Sequence, residues 1–171
     1  MPLDRVITLT ECEREIAEAI ARARQENNRE RGVVNLRKSD GDDLEIGVIG
    51  YAGELAFCKL RNLYPDWATD RGDDHDCVGR NGERIDVKTT TGKKGVSLNV
   101  AEHKNQKRCD WYVLMLCRQY PRFEWLGFAS AADVFREENK RPNVNGDGGH
   151  YYCLRPDQLR FGSRRRTPVH S

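Results

Sequence analysis

The stretch Arg84-Ile85-Asp86-Val87-Lys88-Thr89-Thr90 has the alternating pattern of a β-strand with one buried face. Because successive side chains of a strand point to opposite faces, Asp86 and Lys88 share one face, while Ile85 and Val87 share the other, which points towards the core. A carboxylate and an ammonium group two residues apart on one face can both reach the same phosphate and metal ion. The stretch therefore predicts a strand and one side of a candidate catalytic site.

A β-hairpin is predicted immediately before this strand. Cys77-Val78 is followed by Gly79-Arg80-Asn81-Gly82, and Asn-Gly is a strong turn signal. Such a hairpin brings Asp76 close to Asp86, and two neighbouring carboxylates repel each other and favour binding of a divalent cation. Mg²⁺ prefers oxygen ligands of this kind. Asp74 is close enough in sequence to be the hairpin acid instead, and the sequence leaves that choice open.

A helix is predicted upstream of the hairpin, from about Leu44 to Leu63. Its apolar residues fall on one face at helical spacing: Leu44, Val48, Tyr51, Ala52, Leu55 and Cys58. Glu54 lies at the margin of this face beside small glycine residues, which allow close approach to another element. Glu54 is therefore a third candidate carboxylate for the site of Asp76 and Asp86, or else an ordinary residue at the edge of an amphipathic helix.

The remaining elements predict an α/β or α+β fold, a sheet with helices packed on it. Thr10 and Glu13 form a capping-box pattern at the start of a first helix, which ends by Gly32 and precedes a loop at residues 33–43. Further strands are predicted at residues 96–100, 111–117, 123–128 and 151–154. A short helix capped by Ser130 is predicted at residues 131–139, a loop at residues 142–149 and a terminal turn at residues 156–159.

Composition and charge limit the function classes. The 171 residues suit one domain, and 29 Lys and Arg against 27 Asp and Glu exclude a uniformly basic packaging protein. The charges are segregated, because residues 66–76 are acidic and residues 84–108 are rich in Lys and Arg. An acidic cluster for a cation beside basic groups for a polyanion is what a metal and phosphate site requires, although both stretches also fit solvated loops.

The sequence offers no sign of a membrane partner or of export. No apolar run approaches the roughly 20 residues that cross a bilayer. The first 15 residues have no apolar signal-peptide core, and the six cysteines are scattered without close pairing. These features predict reduced thiols and a cytoplasmic protein.

Glu54 on a helix, Asp76 at a hairpin and Asp86-Val87-Lys88 on a strand together resemble the motif of the PD-(D/E)xK nuclease superfamily. The resemblance covers roughly residues 44–128. The segments GELAF, IDVKTT, CDWYVLM and WLGFASAADVF are also similar to those of small uncharacterised phage-encoded members. His75 is a departure, because a proline often precedes the first acid in the superfamily.

The resemblance implies a restriction-endonuclease-like core, with a mixed central β-sheet flanked by helices. A single nuclease domain would then occupy residues 1–171, with an N-terminal helical segment at about residues 8–32 and a basic C-terminal tail at about residues 160–171. It also implies a cytoplasmic location in a prokaryotic or phage-infected cell. A homodimer is a further expectation, because many members dimerise to cut both DNA strands.

The implied reaction is Mg²⁺-dependent hydrolysis of phosphodiester bonds in DNA, with Mn²⁺ able to substitute. The metal ligands would be Asp76, Asp86, Glu54 and the backbone carbonyl of Val87, and Lys88 would stabilise the attacked phosphate. Five further basic residues would hold the DNA backbone without reading sequence: Lys93, Lys94, Lys104, Lys107 and Arg108.

Three alternatives remain open at this stage. The chain could be a resolvase of Holliday junctions or other branched DNA, or a non-catalytic nucleic-acid-binding protein that kept the fold. Asp86 and Lys88 could also be a surface ion pair of little energetic value. A zinc site at His75, Cys77, His103 and Cys109 matches no common spacing of zinc ligands.

Overall fold

The computed structural model describes residues 5–30, 32, 43–69, 75–106, 108–143 and 149–161. The expectations for Asp74, Lys107 and the loop at residues 33–42 lie outside these residues. In chain order the elements are β1 (Val6–Thr8), α1 (Glu11–Glu30), α2 (Asp43–Arg61), β2 (Cys77–Val78), β3 (Arg84–Thr90), β4 (Leu98–Ala101), β5 (Trp111–Gln119), β6 (Arg122–Ser130), α3 (Ala131–Val134), β7 (Lys140–Pro142) and β8 (His150–Leu154). Short 3₁₀ helices occupy Glu102–Asn105, Glu137–Asn139 and Pro156–Gln158.

The larger of two sheets has the strand order β1-β6-β5-β3-β2. It is mixed, because β3 pairs with β5 in parallel while the other neighbours are antiparallel. The central strand β5 is buried from Tyr112 to Cys117, as its continuous apolar sequence predicts. The hairpin of β2 and β3 also forms as predicted, with Gly82 at a φ of 85° in its turn. The fold is thus α+β, with a mixed sheet flanked by helices.

One face of this sheet is covered by α2, on which α1 packs in turn. The predicted capping box starts α1: the backbone N–H of Thr10 donates to Glu13 Oε2 at 2.7 Å, and the N–H of Glu13 donates to Thr10 Oγ1 at 3.3 Å. Gly53 lets α2 approach β3 closely, because a Cβ atom at Gly53 would overlap the hydroxyl of Thr89. Among the described helices, none combines the length and apolar character needed to cross a bilayer.

The opposite face is covered by the smaller sheet, whose strand order is β4-β8-β7. Its apolar side chains, including Leu98 and Leu154, pack with Tyr112 and Leu114 of β5. Asp86 and Lys88 are paired in register with these two β5 residues and lie on the same face. The alternation predicted for β3 is confirmed, since Ile85 and Val87 belong to the cluster under α2.

The structure differs from the sequence-based prediction in its short elements. The prediction lacked β1, whose three residues pair with β6. The predicted helix at residues 131–139 is instead a single turn, α3, followed by a 3₁₀ helix. Asn139 explains the early end, because its Nδ2 donates to the carbonyl of Asp133 at 2.8 Å and therefore satisfies a helix-terminal acceptor.

Candidate active site

Asp86 is the most deeply buried charged residue of the candidate site, with 1 % of its surface exposed. The Nζ atom of Lys88 lies against Asp86 Oδ1 as an ion pair, but without the geometry of a hydrogen bond. The Nζ atom of Lys104 donates a hydrogen bond to Asp86 Oδ2 at 3.1 Å. This burial contradicts the alternative of a surface ion pair, because a carboxylate is buried only where charges or hydrogen bonds compensate it.

Asp76 is positioned by the backbone of β3. Its N–H donates to the carbonyl of Ile85 at 2.8 Å, and its Oδ2 accepts the N–H of Val87 at 2.7 Å. Because the N–H and carbonyl of one strand residue point to the same side, the Val87 carbonyl also lies on this edge, next to the Asp76 carboxylate. Two of the predicted metal ligands, Asp76 and Val87, are therefore neighbours.

Burial raises the pKa of Asp76 to about 6, and the negative charge of Asp86 acts in the same direction. The charges of Lys88 and Lys104 and the N–H of Val87 oppose this rise in pKa without cancelling it. Asp76 and Asp86 are therefore close enough for the charge of Asp86 to disfavour the ionised form of Asp76.

Glu54 projects from α2 with 13 % of its side chain exposed. Its pKa is raised to about 8, mainly by burial and also by the charge of Asp76, while Arg24 and Lys88 oppose the rise. The charges of Asp76 and Lys88 thus act on the Glu54 carboxyl group. The charge of Asp76 acts on Glu54, and the charge of Asp86 acts on Asp76, so Asp76 interacts with both of the other acids.

Sequence reasoning missed Arg24, which holds Glu54 from α1. Its Nη1 lies 3.1 Å from Glu54 Oε2, and its guanidinium stacks over the ring of Tyr51 at 4.6 Å. Its other nitrogens donate to the carbonyls of Asp66 and Ala68, both at 3.3 Å. Arg24 therefore ties the two helices to the segment that leads towards Asp76. No local pattern marks it, since 30 residues separate it from Glu54.

The predicted DNA-binding residues are in different environments. Lys93 and Lys94 are exposed in the turn that follows β3. Arg108 is also exposed, and its Nε donates to Asn105 Oδ1 at 2.9 Å. The expectation that Lys104 is part of an outer phosphate-binding surface needs correction, because its side chain is only 21 % exposed and its ammonium is bound to Asp86. The remaining member, Lys107, lies outside the described residues.

Within the described part of the chain, no three His, Cys, Asp or Glu side chains lie together as a preformed metal site. The donors nevertheless fit a hard cation in their chemistry, because Glu54, Asp76 and Asp86 offer carboxylate oxygens. Burial raises the pKa values of two of the three acids, so a bound cation would favour their ionised forms. Asp86 Oδ1 is also a buried acceptor without a hydrogen bond.

The sequence model of a family of unknown function, DUF5843, matches residues 1–166. This chain belongs to the DUF5843 family. No curated protein matches it. The matched region contains both sheets and every residue of the candidate site, so the arrangement around Asp86 lies wholly within the DUF5843 region.

The chemistry available to this DUF5843 protein follows from the charges. Glu54, Asp76 and Asp86 are partly or fully buried carboxylates, the kind of oxygen ligand that a hard cation prefers, and the ammonium groups of Lys88 and Lys104 both lie against Asp86. Lys88 is 29 % exposed, so its ammonium reaches solvent while it pairs with the buried Asp86. A cation and a phosphate could therefore be bound at neighbouring positions.

Proposed function

We propose that this DUF5843 protein is a metal-dependent nuclease of the PD-(D/E)xK type that hydrolyses phosphodiester bonds in DNA as an endonuclease. The observation that carries the proposal is the burial of Asp86 beside Lys88, with the carboxylate of Asp76 held by the N–H of Val87. An ion pair on the protein surface would not require a buried carboxylate. Binding a cation next to a phosphate requires an acid and a base held together in this way.

Mg²⁺ is the proposed cofactor, and Mn²⁺ the proposed substitute. Asp76, Asp86, Glu54 and the Val87 carbonyl are the groups that would hold it. When bound, the metal ion lowers the pKa of a water molecule and offsets negative charge on the phosphate.

Lys88 has the clearest role among the groups of this chain. Hydrolysis forms a bond between phosphorus and a water oxygen and breaks the bond to the leaving oxygen, and negative charge builds on the phosphate oxygens. The Lys88 ammonium is fixed beside Asp86 by their shared strand face, so it is preorganised to stabilise that charge. Lys93, Lys94 and Arg108 are exposed cations that would hold the flanking DNA backbone.

The main test combines metal dependence with two substitutions. We expect purified protein to cut DNA in Mg²⁺ or Mn²⁺ and to lose this activity in EDTA. Asp86→Asn removes a charge at nearly unchanged shape and should abolish cutting. Lys88→Ala should slow cutting about a hundredfold or more, the usual cost of losing one electrostatic stabiliser of the transition state.

Matched controls come from exposed ion pairs elsewhere in the chain. Asp157→Asn and Lys59→Ala each remove a charge of the same type outside the site, and both variants should cut normally. The substrates should be plasmid, linear duplex, single-stranded and four-way-junction DNA. Preferential cutting of the junction would identify a branched-DNA resolvase, and binding without cutting in either metal would favour the non-catalytic nucleic-acid-binding protein.

DNA binding provides a second prediction. Lys93→Ala and Lys94→Ala together should weaken binding to all DNA sequences, because these exposed cations would contact phosphates rather than bases. The slope of log affinity against log salt should become less steep by about one for each lysine removed. Fluorescence anisotropy at several salt concentrations measures this slope, and an unchanged slope would contradict the assignment.

A cytoplasmic location, in a prokaryotic or phage-infected cell, is part of this proposal because DNA is the substrate. A homodimer is also part of it, since two sites are needed to cut both strands in one complex. Sedimentation of the protein with and without duplex DNA measures the assembly directly.

A further inference from the structure

Asp86 is paired with two ammonium groups that come from different parts of the fold. Lys88 is two residues further along the same strand. Lys104 comes from the 3₁₀ helix Glu102–Asn105, which follows β4 of the smaller sheet, and is 18 residues away in sequence. Both oxygens of one buried carboxylate therefore face a cation, and the smaller sheet contributes one of them directly to the site.

This pairing conflicts with a metal ion on Asp86. Whichever oxygen takes the ion, a third cation then lies within a few ångströms of both ammonium groups, and like charges this close repel strongly away from bulk water. At least one lysine must therefore move. Lys88 is anchored on the same strand face as Asp86, whereas Lys104 reaches it from a separate short helix along a flexible side chain with access to solvent.

We propose that Lys104 is a second active-site lysine, which neutralises Asp86 in the metal-free protein and binds a DNA phosphate once the metal ion takes Asp86. This inference rests on the proposed nuclease function, because it concerns the same carboxylate. It gives the smaller sheet a role in the reaction and explains why a basic residue of the stretch 84–108 is drawn inwards rather than exposed.

Metal binding without DNA tests the first part of the proposal, that Lys104 neutralises Asp86 in the metal-free protein. Isothermal titration of Mn²⁺ into Lys104→Met, which keeps the length of the side chain and removes its charge, should show affinity about tenfold tighter than wild type. That factor is the scale of one charge-assisted hydrogen bond. Lys59→Met, at an exposed position outside the site, should match wild type. Lys104→Gln provides a second variant if near-ultraviolet circular dichroism shows that Lys104→Met is misfolded.

DNA binding tests the second part of the proposal, that Lys104 contacts a DNA phosphate once a metal ion is bound to Asp86. The experiment uses Ca²⁺, a hard cation that is a poor substitute for Mg²⁺ in catalysis. Lys104→Met should bind duplex DNA about tenfold more weakly than wild type, with a salt dependence reduced by about one phosphate contact. A purely structural role for Lys104 would not tighten metal binding while weakening DNA binding, so the opposite signs of the two effects support the exchange.

The possible failures are distinguishable. If wild type binds Mn²⁺ and Lys104→Met binds it equally or more weakly, the inference is wrong and the proposed function stands. If neither protein binds Mn²⁺, both are wrong. If Lys104→Met gains metal affinity but keeps wild-type DNA binding, Lys104 competes with the metal and does not contact phosphate, which overturns the exchange.

Discussion

The candidate site has two sides whose acids are neutralised differently. On the lysine side, Asp86 has an ammonium group at each oxygen. On the helix side, Glu54 has the guanidinium of Arg24, Asp76 has the backbone N–H of Val87, and both pKa values are raised. Because burial disfavours the ionised forms of Glu54 and Asp76, the ionised helix side costs stability in the metal-free fold.

This difference separates two electrostatic settings for a buried acid. The negative charge of Asp86 is compensated by two lysines, so removing the carboxylate leaves two ammonium groups without their partner. The carboxyl groups of Glu54 and Asp76 lack such compensation, and burial therefore raises their pKa values to about 8 and about 6. The same isosteric substitution should therefore change the free energy of unfolding in opposite directions on the two sides.

The largest effect is expected on the lysine side. Asp86→Asn in EDTA should reduce the free energy of unfolding by about 3 kcal/mol, because it leaves two partly buried ammonium groups without their carboxylate. Thermal unfolding at about pH 8 measures this change. Asp157→Asn, which breaks an exposed pair with Arg155, should stay within about 0.5 kcal/mol of wild type. A neutral or stabilising effect of Asp86→Asn would refute the comparison.

An intermediate effect is expected where α2 approaches β3. Gly53→Ala introduces a methyl group that overlaps the hydroxyl of Thr89, so it should cost about 2 kcal/mol through overpacking. The substitution also displaces Glu54 and leaves the lysine side in place. Gly50→Ala on the same helix, where a Cβ meets nothing within 4 Å, is the matched control and should be neutral or stabilising. Equal stabilities of the two variants would contradict the close approach.

The smallest effect on the free energy of unfolding is expected for Asp76→Asn, which should stabilise the protein. The folded pKa of about 6 lies above the ordinary value of 3.8, so the folded protein binds this proton more tightly than the unfolded chain does. Stability from this group is therefore greatest below about pH 4 and is lost as the pH rises to about 6. In EDTA at about pH 8, Asp76→Asn should gain about 1 kcal/mol over wild type.

The pH profile provides the check on this prediction. The advantage of Asp76→Asn should shrink as the pH falls and vanish below about pH 3, where the wild-type carboxyl is protonated in both states. At about pH 8, Mn²⁺ should make wild type more stable than Asp76→Asn, because the metal ion stabilises wild type more than the variant. A variant that is less stable than wild type at every pH would show that the N–H of Val87 matters more to stability than the repulsion between the acids.

Local patterns predicted much of the fold and named the three acids of the candidate site. The alternation at residues 84–90 placed Asp86 and Lys88 on one face, and Asn81-Gly82 placed the hairpin. The helical periodicity around Glu54 put it at the edge of a buried face. Each of these signals depends on neighbours in sequence, which is why they could be read without the tertiary structure.

The contacts that the sequence did not predict all join distant segments. Lys104 belonged to a basic stretch, and nothing local distinguishes a lysine bound to a buried acid from an exposed one. Arg24 lies on a polar part of α1, and its pairing with Glu54 depends on how α1 packs on α2. The strand β1 is too short for a periodic signal, and it is defined by pairing with β6.

The strand order of the smaller sheet has a consequence for synthesis of the chain. In the described structure β4 hydrogen-bonds to β8, so the support for the segment carrying Lys104 comes from residues 150–154. Glu54, Asp76, Asp86 and Lys88 leave the ribosome well before those residues do. It follows that a nascent chain can assemble the three acids and Lys88 while Lys104 is still without its supporting strand, and that the site is completed only when β8 has been translated.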